Sequence, residues 1–204
     1  MNMKIESIKN VNITALFSSP LNHLLISQKD LLDLFKTEDQ ENDKHTFIEA
    51  PGLKVLSFPS KQKEIIFEAT RILVNDKTGR QIENIEVVDN LRNILKIGLI
   101  DQDKLTAYGF NYDVVVSSDS NFNINNLVGN KIASIENIKS AGANFSFEKN
   151  NIIYTLDIKP IRDEQKFVAH FNAHFNVSKL PDLQELKKEI KIQFEELKNV
   201  LQKI

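Results

Sequence analysis

The last fifth of the chain constrains the fold most, because it joins a long alternating strand to a long amphipathic helix. Phe167, Ala169, Phe171, Ala173, Phe175 and Val177 alternate with Val168, His170, Asn172, His174 and Asn176. A period of two marks a strand with one buried face. Beyond Pro181, Asp182 and Glu185 form an acidic version of the capping box. Leu183, Leu186, Ile190, Phe194, Leu197, Leu201 and Ile204 then step by three and four along one apolar stripe. A helix from Asp182 to Ile204 would be about 33 Å long. The strand from Phe167 to Val177 would be about 36 Å long. The matched lengths let the helix lie back along the strand. Full burial of the stripe would contribute on the order of 10–20 kcal/mol gross. Ordering the segment costs at least as much. The helix therefore needs the sheet, or a second copy of itself, to be stable.

Three further runs alternate in the second half. Tyr108, Phe110, Tyr112, Val114 and Val116 share one face, as do Ala143, Phe145 and Phe147, and Ile152, Tyr154, Leu156 and Ile158. Asn150-Asn151 suits a tight hairpin because both residues tolerate positive φ. The spacing predicts an antiparallel meander with one buried face. Between the first two of these strands, Ser118 to Ala141 is Asn-rich and predicts one or two short helices broken at Gly129. In the first half, Val11, Ile13, Ala15 and Phe17 mark a strand ended by Ser18-Ser19-Pro20. Ser27 with Asp30 resembles a helix start before Leu31, Leu32, Leu34 and Phe35. Lys36 to Thr46 is polar throughout and reads as a loop. Leu53 to Phe58 and Glu64 to Val74 read as strands, with Arg80 to Glu86 as a hairpin partner after the Asn75–Gly79 turn. Asp89 is placed to cap a helix carrying Leu91, Ile94, Leu95 and Leu99 that stops near Gly98.

These elements predict an α+β fold. A curved antiparallel sheet carries the long C-terminal helix across it, with short helices inserted between strands. This is similar in outline to helix-grip domains, whose sheet wraps a terminal helix around an apolar cavity. With 204 residues the chain suits a single domain, 1–204, with any weak subdivision near 100–104.

Chemistry is constrained mainly by exclusion. The chain has no Cys, which removes disulfides, Cys-ligated zinc, iron–sulfur clusters and a thiol nucleophile. No GxGxxG, P-loop or GxSxG pattern occurs. Asp101-Gln102-Asp103-Lys104 lacks the later Gly and Glu of a calcium loop. His170 and His174 are candidate metal ligands only on a helix. On a strand they sit about 13 Å apart, too far to share an ion held about 2 Å from each nitrogen. The strand reading prevails, so no metal and no cofactor is expected. His170, Asn172, His174 and Asn176 instead form a polar ladder, a candidate binding surface. Tyr108 and Tyr112 flank Gly109, whose mid-strand position marks a bulge or a close backbone approach, and they complete the candidate set. The net charge of −2 and the lack of a basic run argue against nucleic acid. No apolar run spans a bilayer, and the N-terminal residues lack a signal-peptide pattern. The expected location is the cytoplasm. The expected function is a non-enzymatic protein-interaction module, with a protein partner or a homodimer as its assembly. The alternative is a small-molecule-binding cavity protein or cavity enzyme of helix-grip type.

Overall fold

The computed structural model describes residues 3–35, 44–97, 100–118, 142–161 and 166–204. They form a nine-stranded antiparallel sheet with α-helices, an α+β architecture. The strands are β1 (Met3–Phe17), β2 (Thr46–Ala50), β3 (Leu53–Phe58), β4 (Lys63–Glu68), β5 (Arg71–Asp76), β6 (Leu105–Ser118), β7 (Ala143–Lys149), β8 (Ile152–Pro160) and β9 (Lys166–Asn176). The helices are α1 (Gln28–Phe35), α2 (Val87–Leu95) and α3 (Leu183–Leu201). Across the sheet the order is β2-β3-β4-β5-β1-β6-β9-β8-β7.

This order has an internal repeat. Each half begins with a long strand, β1 or β6, that takes a central position. The chain then travels to the sheet edge and returns strand by strand to pair with that long strand. A helix follows each return, α2 in the first half and α3 in the second. β1 and β6 are antiparallel neighbours, so the two halves meet at this pair running in opposite directions. Their boundary falls between Leu95 and Leu105.

Several local expectations hold for clear reasons. Asn150 and Asn151 both take positive φ, 54° and 62°, and turn β7 into β8. Ser27 Oγ accepts the Asp30 backbone N–H at 3.1 Å and starts α1. Asp182 and Glu185 close the capping box at α3.

Others are corrected. The run from Glu64 to Val74 is two strands, because the chain reverses at Ala69-Thr70 with neither Gly nor Asn to mark the turn. Arg80–Glu86 is not a strand; Ile82–Asn84 is a 3-10 turn. Asp89 lies inside the first turn of α2, whose N-cap is Glu86. The edge strand β2 escapes the pattern because it is short and mostly exposed. β1 starts earlier than its alternation suggests, since register shifts at Ile5/Ser7 and Ile8/Asn10 break the period. β6 lies beside β1 and β9 instead of following directly into β7. The register at Gly109 is continuous with both neighbours, so no bulge sits there. The helices expected between Ser118 and Ala141, the stop at Gly98 and most of the Lys36–Thr46 loop lie outside the described residues.

The helices pack on one face of the sheet. Phe67, Phe110, Tyr112, Phe167 and Phe171 are fully buried on that face. Leu186, Ile190, Phe194, Leu197 and Leu201 bring the α3 stripe onto them. Tyr112 donates its hydroxyl hydrogen bond to the Ile190 carbonyl at 2.6 Å, and its ring lies 5.5 Å from that of Phe194. A phenol this deep needs that acceptor. α3 also touches α2, so the two halves meet in the helical layer as well as in the sheet. Near α1, the buried Lys54 ammonium donates to the Ile26 carbonyl at 2.7 Å and pairs with Glu49 at 2.9 Å.

Removing the α3 cap should weaken the whole fold, because this helix is stable only while docked. Asp182→Ala is expected to lower the unfolding free energy by about 1 kcal/mol. Urea unfolding should show a lower midpoint at unchanged slope; an unchanged midpoint would mean that α3 does not depend on its cap.

Candidate functional site: the open face of the sheet

Alternation places most polar strand residues on the face opposite the helices, with Lys54, Glu49 and Asp76 among the exceptions on the helical face, and no α-helix among the described residues packs on the open face. The strand register aligns these residues into rows. One row is polar across all nine strands: Thr46, Ser57, Glu64, Asn75, Asn12, Asn111, Asn172, Thr155 and Ser146. Much of it is cross-linked by side chains. Asn172 Nδ2 donates to Asn111 Oδ1 at 2.6 Å, and Asn111 Nδ2 donates to Asn12 Oδ1 at 2.7 Å. Asn75 Nδ2 donates to Glu64 Oε2 at 3.3 Å, and the Ser146 and Thr155 hydroxyls meet at 3.2 Å. Asn12 and Asn75 are only 8% and 6% exposed, so their amides are structural as well as polar.

Gly109 makes room for this ladder. A Cβ at this position would lie 3.0 Å from the Ala173 carbonyl oxygen and 3.4 Å from Asn172 Nδ2. This is the close backbone approach that a mid-strand glycine permits.

A second row is charged. Asn10, Asp113, His170, Asp157 and Asn144 lie opposite one another on β1, β6, β9, β8 and β7. His170 Nδ1 is 2.7 Å from Asp113 Oδ1, and Asn10 Nδ2 donates to Asp113 Oδ2 at 3.2 Å. Burial pushes the Asp113 carboxyl up, but the hydrogen bonds from His170 and Asn10 outweigh it and hold the carboxyl below its ordinary value. The bond to Asp113 raises His170 above its ordinary 6.5, against the opposing effect of burial, with Asp157 adding to the rise.

A third row changes character across the sheet. Ile48, Val55, Ile66 and Leu73 form its β2–β5 part, and Thr14, Gly109, His174, Ile153 and Glu148 complete it. Ile48 is 51% exposed and Ile153 is 40% exposed. An aligned set of solvent-facing aliphatics marks an interaction surface more than isolated ones do.

The structure brings His170, Asn172, His174 and Asn176 together on the open face of β9. His174 Nε2 lies 3.0 Å from Asn176 Oδ1 near the end of the strand. Tyr108 and Tyr112 sit on the other face, in the core. Tyr108 stacks on Phe175 with centroids 4.6 Å apart. Burial pushes the pKa of both phenols up, so they stay neutral. Sequence reasoning missed Asn12, Asn75, Asn111, Asp113 and Asp157 as partners of the β9 residues. Their polar positions in alternating strands were visible, but which strands pair was not. No protein-family model and no curated protein sequence matches the chain.

Two expectations test this network. Gly109→Ala should cost about 1–3 kcal/mol, since the added methyl meets backbone that cannot swing aside; thermal melting at wild-type stability would refute the crowding. The second concerns pH. His170 has a raised folded value, so its contribution is complete below 6.5 and fades as pH rises through the higher folded value. Asp113 has a lowered folded value, so its contribution is present above 3.8 and fades as pH falls through the lower folded value. Both side chains are partly exposed, which limits the pair to under about 1 kcal/mol. The stability difference between wild type and His170→Gln should therefore be largest between about pH 4 and 6.5 and shrink above. A difference that grew from pH 6.5 to 9 would contradict this dependence on a protonated imidazole.

Proposed function

We propose that the protein is a non-enzymatic protein-interaction module that engages a protein surface with the open face of its sheet. The observation that carries this reading is the nine-strand register. It aligns hydrogen-bonded amides across the middle of the sheet and an aliphatic set across β2–β5, on a face with no helix over it among the described residues. An interface needs apolar area for affinity and fixed polar groups for register. The two rows supply both, already ordered, so little side-chain entropy is lost on binding. About 800 Å² per partner is the usual interface size. Nine strands at about 4.8 Å spacing make the face nearly 40 Å wide, enough to provide it. A second copy of the chain and a different protein are the two forms of partner for this face.

The alternative is a cavity protein of helix-grip type, with a curved sheet gripping α3. In its favour stands a groove of about 580 Å³ beside α3, within the size range of small-ligand sites. Against it, Tyr112, Phe171 and Phe194 fill the space beneath that helix.

A photo-crosslinking residue at position 48, compared with one at the exposed Lys188 on the helical side, tests the leading reading. Crosslinks to a defined protein, or to a second copy, from position 48 but not from position 188 are expected. Ile66→Lys should abolish them. Equal or no crosslinking from the two positions would count against the open face.

A further inference from the structure

On the helical side, a groove runs between α3 and the chain from Arg80 to Asp89. A space of about 580 Å³ continues into one of about 370 Å³, and both are lined by Ile82, Glu83 and Lys191. The two rims differ in charge. The α3 rim presents Lys187, Lys191 and Lys198; the facing rim presents Glu83, Glu86 and Asp89. Arg80 on the second rim and Glu195 on the first are the exceptions. Part of this charge is already satisfied. Lys187 bridges to Asp89 at 2.6 Å, Lys198 pairs with Glu195 at 2.6 Å, and Glu86 binds Lys63. Glu83 and Lys191 make no ion pair among the described residues. Both are exposed, and both line each part of the groove. The Lys187–Asp89 bridge shows that side chains of opposite charge reach each other across the rims.

We propose that this groove binds an extended polypeptide segment carrying an acidic and a basic side chain on opposite sides of its backbone. The acid would meet Lys191 and the base would meet Glu83. An extended chain sends neighbouring side chains to opposite sides, so the two charged residues are adjacent in sequence. The distance from Lys187 to Lys198 along α3 is about 17 Å, the span of about five extended residues. Ile82, Ile190 and Phe194 form a floor that is itself nearly buried, 4%, 3% and 8% exposed. The floor therefore gives shape more than apolar area, and charge carries the selectivity. A wholly acidic segment would meet Glu83, Glu86 and Glu195, and a wholly basic one would meet the lysines of α3. The site is separate from the open face of the sheet, and the proposal stands or falls independently of that reading.

Fluorescence anisotropy with labelled seven-residue peptides tests it on the intact chain. The panel holds an adjacent Glu-Lys pair, the same pair separated by one residue, and all-acidic, all-basic and neutral controls. The adjacent pair should bind most tightly, and binding should weaken as salt is raised. Lys191→Glu and Glu83→Lys should each weaken it by about tenfold. The double exchange should recover much of the loss, because the peptide can enter in the opposite direction. Both residues are exposed, and circular dichroism of the variants would verify that they fold. Equal binding of the separated pair or of the acidic control would overturn the proposal. So would no binding by any peptide, or indifference to the two charge reversals. Equally good competition by a free Lys-Glu dipeptide would reassign the groove to small molecules.

Discussion

The antiparallel pairing of β1 with β6 is the contact on which the rest of the molecule depends. It runs from Met3 opposite Ser118 to Phe17 opposite Leu105, and among the described residues it alone joins the two halves within the sheet. The partners are far apart in the chain; Asn12 and Asn111 are separated by 99 positions. Closing so long a loop costs entropy that only extensive pairing and burial can offset. The seam provides both. Val11, Ile13, Phe110 and Tyr112 bury their side chains beneath it, while the hydrogen bond from Asn111 Nδ2 to Asn12 Oδ1 links the strands above. The helices then follow. α2 packs on β1 and β5, α3 packs on β6, and the two touch over the seam.

The two faces of the sheet do different physical work. The inner face supplies apolar burial, which drives folding but distinguishes poorly between one strand register and another of the same parity. The outer face supplies that discrimination. A shift of two residues in β6 against β9 would keep the Phe and Tyr side chains inside yet separate Asn172 from Asn111 and His170 from Asp113. Each lost bond costs only about 1 kcal/mol net, but the losses add along the row. Polar cross-links therefore act here as register marks. The same groups, fixed in place for folding, leave the open face already ordered.

Polar surface on this molecule thus comes in two kinds. On the open face, amides and carboxylates are tied to one another across strands. Along α3, rim charges are only partly paired, and Glu83 and Lys191 share a groove without meeting. The first arrangement presents a wide, fixed surface suited to another folded surface. The second is narrow and bipolar, suited to a single strand of polypeptide. Both proposals start from where folding leaves charges and amides.

The sequence by itself determined the local facts. Period-two alternation in β6 to β9 fixed which side chains turn inward, because successive residues of a strand must face opposite ways. Asn150-Asn151 named a hairpin, and Asp182 with Glu185 named the start of α3, because each motif satisfies backbone groups within a few residues of itself. His170, Asn172, His174 and Asn176 could be placed on one polar face for the same reason. The signal failed where the period was interrupted without a marker. The bulges of β1 and the unmarked turn at Ala69-Thr70 are the two instances. Only the tertiary structure decided which strands are neighbours. Alternation says which face a residue occupies, but not what lies beside it. The Asn75–Asn12–Asn111–Asn172 row, the Asp113 partner of His170 and the groove between α3 and Arg80–Asp89 all join residues far apart in the chain. Their meeting is a property of strand order, and strand order is set by the summed burial and pairing of the whole sheet.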